Sequence, residues 1–192
     1  CIVNPVSGLK KSLKVFNEVK NKLKSSNTDL ELFVSKYPNH IKDYSSKINK
    51  DEFDKIIIFG GDGTINEVVN GLSSSSNLDS FKLGIIPTGS GNSVAHDIGS
   101  LKLDVAVKKC LGEKVIKMDV NKVNFDSFTR LSVRVLGWGM FSFGNIRAEK
   151  LRFLGPMRYD VASIVTVLEK KRHTAEIIVD GVKKTLECAF IV

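Results

Sequence analysis

Apolar positions along the first 111 residues fall into two alternating patterns. Short, largely apolar runs occupy Cys1 to Val3, Leu30 to Val34, Lys55 to Phe59 and Lys82 to Ile86. They are too short for typical helices, and their lack of polar alternation suits strands covered on both faces. Between them, apolar residues recur at helical spacing: Leu9, Leu13, Phe16 and Leu23, then Ile65, Val68, Val69 and Leu72, then a stretch from Val105 to Leu111. A further helix is expected from His40 to about Ile48, with His40 as a capping or packing residue. Strands that alternate with amphipathic helices predict a parallel α/β sheet. After Lys117 the period becomes two. Lys117 to Val123 and Leu131 to Leu136 alternate, and His173 to Val179 joins Lys183 to Phe190 through Asp180-Gly181, a hairpin signal. The expected organisation is an α/β domain over residues 1–117 and a β-rich antiparallel domain over 118–192. A helix from Pro156 towards Lys170 and the segment Asn145 to Gly155 lie between the later strands. The chain opens and closes inside apparent strands, so the second domain is expected to be partial at its carboxyl end.

Three of the expected parallel strands run into glycine-bearing loops, each followed by helix: Asn4 to Gly8, Gly60 to Thr64, and Pro87 to Asn92. In a parallel sheet all three fall on the carboxyl edge, where ligands bind. Gly60, Gly61 and Gly63 have no side chains to shield their amides, so the loop can wrap around phosphate oxygens. Asp62 is the only carboxylate within it. Gly89 and Gly91 resemble the start of a dinucleotide fingerprint, but the third glycine is missing and Pro87 precedes them, which disfavours a Rossmann cofactor site. GxxxxGK[ST] is absent, as are the protein-kinase HRD and DFG signatures. By itself, the Asp62-Gly63 pair reads equally as a hairpin turn. The serine run Ser73 to Ser76 reads as a surface loop.

Charge narrows the partners without choosing one. Lys+Arg 29 against Asp+Glu 21 gives +8, which favours nucleotide phosphates, acidic membrane surfaces or nucleic acid. Basic residues interleaved with aromatics on one strand, as in single-strand RNA modules, are not evident, so no nucleic acid partner is expected. The lysines of the first helix read as a solvated face. Three widely spaced cysteines without metal-ligand spacing suggest a reducing, cytoplasmic compartment and no disulfide framework. No stretch approaches the roughly 20 apolar residues of a transmembrane segment.

NPVSG at 4 to 8, GGDGTINEVVNGL at 60 to 72, PTGSGNSVA at 87 to 95 and EKLRFLGPMRYD at 149 to 160 together resemble the diacylglycerol kinase catalytic superfamily, within it the sphingosine kinase and ceramide kinase branch. The resemblance implies a parallel-sheet nucleotide-binding domain, a β-rich lipid-binding domain, and ATP-dependent phosphorylation of a lipid hydroxyl with Mg2+. Asn4 and Ser35 look like nucleotide contacts. Gly60, Gly61, Gly63 and Thr64, with Gly89, Ser90, Gly91 and Asn92, look like phosphate-binding loops. Asp62 is similar to the family's general base, and Arg152 and Arg158 to its phosphate-binding arginines. Without that motif the two arginines would read as solvated or carboxylate-paired, and Glu67 reads equally as a helix-surface charge. Trp138, Met140, Phe141, Phe143 and Asn145 are the expected lipid-binding residues. For the four large apolar ones among them, together with neighbouring Leu136, the competing reading is an ordinary domain core. Sphingosine kinases carry acidic residues before the EK pair, but Phe143-Gly144-Asn145 stand here, so ceramide, diacylglycerol or another neutral lipid alcohol competes with a sphingoid base. An NAD-kinase-like enzyme and a non-enzymatic scaffold are weaker alternatives. The partner is expected to be lipid at a membrane surface, met peripherally. The sequence leaves the oligomeric state open.

Overall fold

The computed structural model describes residues 1–24, 29–74, 78–169 and 171–192, without the side chains of Phe141, Arg152 and Pro156. Ser75 and Ser76 of the expected serine loop, and Lys170 at the end of an expected helix, lie outside the described residues. By contact density the chain forms two compact units, Cys1–Arg134 and Val135–Val192.

The first unit is built on four parallel strands, β1 (Ile2–Val3), β2 (Phe33–Val34), β3 (Ile56–Gly60) and β4 (Leu83–Pro87), in the order β2-β1-β3-β4. Ile2 and Val3 lie opposite Phe33 and Val34 on one side and Ile58 and Phe59 on the other. Every residue of β3 is buried, which explains its unbroken apolar sequence. The pleat sends Ile56 and Ile58 to one face and Ile57 and Phe59 to the other. On the first face they meet Ile65, Val68, Val69 and Leu72 of α3 (Asp62–Leu72) and Ile41 of α2 (His40–Ser45). The second face packs Phe16, Val19 and Leu23 of α1 (Ser12–Lys24) and Ala106, Val107 and Cys110 of α5 (Leu103–Leu111). Burying each large aliphatic side chain is worth about 1.5–3 kcal/mol. Lys55, just before β3, donates to the carbonyls of Cys110 and Gly112 (2.6 and 2.9 Å) and so caps the last turn of α5. Burial pushes the Cys110 thiol up to about 11, so at neutral pH it is a protonated core group.

Two boundaries differ from the periodicity for local reasons. α1 starts at Ser12, since Gly8, Leu9 and Lys10 all take left-handed backbone angles (φ 54, 59 and 67) and Leu9 is exposed. α3 starts at Asp62, three residues before its apolar stripe, so Asp62 stands in the first turn of a helix whose dipole favours an anion there. Short α4 (Ser93–Asp97) follows the third loop. The hairpin of β5 (Asn121–Asn124) and β6 (Thr129–Ser132) belongs to the first unit, so residues 118–134, read from sequence as the start of the second domain, lie there.

In the second unit β8 (His173–Val179) and β9 (Val182–Cys188) pair through a two-residue turn with positive φ at Asp180 and Gly181, as the Asp-Gly signal requires. β7 (Trp138–Gly139) pairs with β10 (Phe190–Ile191). Two helices, α6 (Met140–Lys150) and α7 (Arg158–Leu168), pack together between these strands. α7 falls within the expected Pro156 to Lys170 helix. α6 was not legible, because its sequence MFSFGNIRAEK has no clean apolar stripe.

Candidate functional site

The loops after β1, β3 and β4 converge at the carboxyl edge of the sheet, where the strand order reverses between β1 and β3. Asn4 leaves β1 and its side-chain amide donates to Thr64 Oγ1 at 3.1 Å. Its backbone N–H reaches the Phe59 carbonyl (3.1 Å), and the N–H of Thr88 reaches the Gly60 carbonyl (3.1 Å). Ser7 Oγ donates to the Thr88 carbonyl, while Ser12 and Thr88 share a buried hydroxyl contact of 2.6 Å. The loops therefore hold each other.

The glycines make that approach possible. A Cβ on Gly8 would stand 1.9 Å from the Thr88 carbonyl oxygen, one on Gly61 2.9 Å from Gly89 Cα, and one on Gly89 2.4 Å from Gly61 Cα. Gly63 differs: nothing lies within 4 Å of the space its Cβ would fill, and Gly63, Ser90 and Gly91 are exposed. Gly61 and Gly89 thus serve loop-on-loop contact, and Gly63 faces open space.

Asn92 closes the third loop on itself, accepting from the Gly89 N–H and donating to the Gly89 carbonyl, both at 2.8 Å. Asp62 links the second loop to the third. Its Oδ1 accepts the Val94 N–H at 2.8 Å and its Oδ2 the Ser93 N–H at 3.0 Å, so one carboxylate satisfies two orphan amides at the start of α4. Each oxygen retains a further lone pair. Ser35 follows β2 on the same edge, where its N–H pairs with the Val3 carbonyl (3.0 Å) and its side chain is buried.

Glu67 points elsewhere. It lies against the backbone of Ile41 and Lys42 in α2, and burial raises its pKa. His40 accepts the Lys36 N–H at 3.1 Å and stacks on Tyr37, a capping and packing role as expected. Sequence reasoning missed Asn66 and Asn70. Asn70 pairs with the backbone of Leu131, donating to its carbonyl and accepting its N–H, both at 2.9 Å. Asn66 Oδ1 accepts the Val133 N–H at 3.4 Å. The signal was present as a polar row at positions 62, 66 and 70, one helical turn apart.

In the second unit Arg158 is buried. Its guanidinium lies 3.3 Å from Glu149 Oε1, donates to the Tyr159 hydroxyl (2.7 Å) and leaves Nε buried with no partner among the described residues. The Arg152 backbone lies in the turn Arg152–Met157; its side chain is outside the described residues, as is that of Phe141. Met140 and Asn145 line a cavity of about 80 Å3 with Gly144, Tyr159, Ser163, Thr166 and Val167. Trp138 and Phe143 flank His173, with ring centroids 5.5 and 5.6 Å away, and both remain half exposed.

A parallel sheet with interlocked glycine loops at its switch point defines a doubly wound α/β domain. The family model of the diacylglycerol kinase catalytic domain matches residues 1–123, and the chain belongs to that family. Relatives include sphingosine kinase 2 of Arabidopsis thaliana, 29% identical over 92% of this chain, and human ceramide kinase, 28% identical over 86%. A diacylglycerol kinase crystal structure from Bacillus anthracis superposes with a TM-score of 0.74 over 98% of this chain at 26% identity. The chain spans 38% and 34% of the two curated relatives and 61% of the bacterial chain.

Proposed function

We propose that this chain carries the nucleotide-binding part, in the unit Cys1–Arg134, and some of the lipid-binding part, in the unit Val135–Val192, of a lipid kinase that transfers the ATP γ-phosphoryl group to a hydroxyl of a sphingoid base or a related lipid. The observation that carries the reading is the set of three mutually packed loops at the sheet's switch point, with Gly63, Ser90 and Gly91 open and Asp62 beside them. Phosphoryl transfer needs positioning and charge stabilisation more than covalent help. The loop amides and the α3 dipole would bind the phosphates, with Asn4 and Ser35 towards the nucleoside. The lipid oxygen attacks the γ-phosphorus, the bond to the bridging oxygen breaks, ADP leaves, and the hydroxyl proton passes to a free lone pair on Asp62.

Mg2+ fits this donor set as an ion held mainly by substrate phosphates and water. Among the described residues no three His, Cys, Asp or Glu side chains group as a cage, and Mg2+ commonly takes only one or two carboxylates beside phosphate. Bound there it would neutralise phosphate charge. With Asp62 given to the lipid proton, loop carbonyls are the ligands this chain offers.

A neutral head group is the second reading, because Asn145 lines the second-unit cavity where an acidic side chain would serve an amine. No helix among the described residues is long and apolar enough to cross a membrane, and peripheral contact with a cytoplasmic membrane surface suits a kinase of poorly soluble lipids. Assaying the full-length protein with Mg-ATP against sphingosine, ceramide and diacylglycerol in mixed micelles tests the reading; no phosphorylated lipid from any of them overturns it. Trp138, Met140, Phe141, Phe143 and Asn145 are assigned to the lipid. Half-exposed Phe143 makes little core, so Phe143→Ala is expected to cost about 1 kcal/mol or less, against roughly 3–5 for a core phenylalanine, while shifting lipid KM. A melting temperature that collapses with lipid KM unaltered would return Phe143 to the core.

A further inference from the structure

The two helices that begin at the glycine loops, α3 and α4, both end their polar contacts on one four-residue segment, Leu131 to Arg134, the last before the chain enters the second unit. Asn70 takes both backbone groups of Leu131, on the edge of β6 where a further strand would otherwise pair. Asn66 takes the Val133 N–H. Asp97, at the end of α4, forms an ion pair with Arg134. The start of α4 is held in turn by Asp62 at the start of α3. These contacts close a ring: Asp62 to the Ser93 and Val94 amides, along α4 to Asp97, to Arg134, back through Val133 and Leu131 to Asn66 and Asn70, and down α3 to Asp62.

From this we infer that Asn66, Asn70, Asp97 and Arg134 are positioning residues that transmit nucleotide occupancy of the loops to the segment by which the lipid half is attached. The inference rests on the ATP-binding reading of those loops. An apolar contact would hold the β5–β6 hairpin as firmly, but it would not fix its register. An amide that both donates to and accepts from one residue does, because any slip breaks both bonds. A nucleotide that pins the loops pins the amino ends of α3 and α4. Both helices are short, and their far ends contact positions 131–134 directly, so the same restraint reaches that segment. Contact between Asp97 and Arg134 is the exposed link, with half-exposed side chains, so its loss should barely change global stability.

The test uses the full-length protein with a non-hydrolysable ATP analogue and Mg2+, amide hydrogen exchange across 131–134, and steady-state kinetics. In the wild type, nucleotide is expected to slow exchange at Leu131 and Val133 by about tenfold. Arg134→Gln should bind the analogue within about twofold of wild type and keep its melting temperature, yet lose the slowing and drop kcat about five- to thirtyfold at unchanged lipid KM. Arg134→Lys should recover part of kcat, and adding Asp97→Asn to Arg134→Gln should cost little more than either alone. Bound analogue with unaltered exchange at 131–134, or Arg134→Gln with wild-type kcat, overturns the inference and leaves the kinase reading standing. A wild type that binds no nucleotide overturns both.

Discussion

Asp62→Asn is expected to lower kcat for lipid phosphorylation by about a hundredfold or more. The substitution keeps the side chain's size and removes the oxygen proposed to receive the lipid proton. The structure adds a second consequence. Both carboxylate oxygens accept backbone N–H groups of α4, and asparagine retains one acceptor while setting its NH2 against the other amide. Loss of one bond of this cap should cost about 1 kcal/mol of stability, readable as a small fall in melting temperature. Nucleotide affinity, measured by titration with a non-hydrolysable analogue, should change far less than turnover if proton acceptance is the main role. Weakened nucleotide binding with normal turnover of the bound complex would instead assign Asp62 to the magnesium ion. A variant with near-wild-type kcat would leave Asp62 as a cap for α4 and nothing more.

Different parts of this arrangement were legible in sequence to different degrees. Ile56 to Phe59 announced a strand buried on both faces because no polar residue interrupts them, and the structure buries every residue of that strand. Loops after β1, β3 and β4 were placed on one edge by the rule that parallel strands share a direction. What the sequence could not report is which glycine answers to which constraint. Gly8, Gly61 and Gly89 face other loops across 1.9 to 2.9 Å of would-be Cβ contact, whereas Gly63 meets nothing; identical letters hide opposite environments, since the neighbours come from distant stretches of chain. Asn66 and Asn70 escaped for the same reason. Their partners, Leu131 and Val133, lie about 60 residues further on, and asparagine in a helix carries no mark that a strand edge will be brought to it. α6 failed differently: Met140, Phe141 and Phe143 are too clustered to declare a helical face, and Gly144 argues against a helix.

The contrast among the glycines yields the largest expected effect on folding and a clean probe of binding. Gly8→Ala puts a methyl group 1.9 Å from the Thr88 carbonyl oxygen at a residue with φ +54. Left-handed strain of about 1–2 kcal/mol adds to a clash with backbone that cannot rotate away. The fold should lose about 3 kcal/mol or more, seen as a large drop in melting temperature with nucleotide binding lost because the first and third loops separate. Gly63→Ala makes the opposite case. Its methyl group enters empty space inside the first turn of α3, where alanine is the better helix former by up to about 1 kcal/mol, so stability should hold or rise. If phosphate oxygens occupy the space beside that loop, the same methyl group intrudes on them and nucleotide affinity should fall by about tenfold or more, a loss of about 1.4 kcal/mol. Thermal denaturation and analogue titration on both variants separate the two kinds of glycine. Gly63→Ala that binds nucleotide as tightly as the wild type would move the phosphates away from the GGDG loop, and a Gly8→Ala protein as stable as the wild type would mean that the close packing of the first and third loops does not hold the edge together.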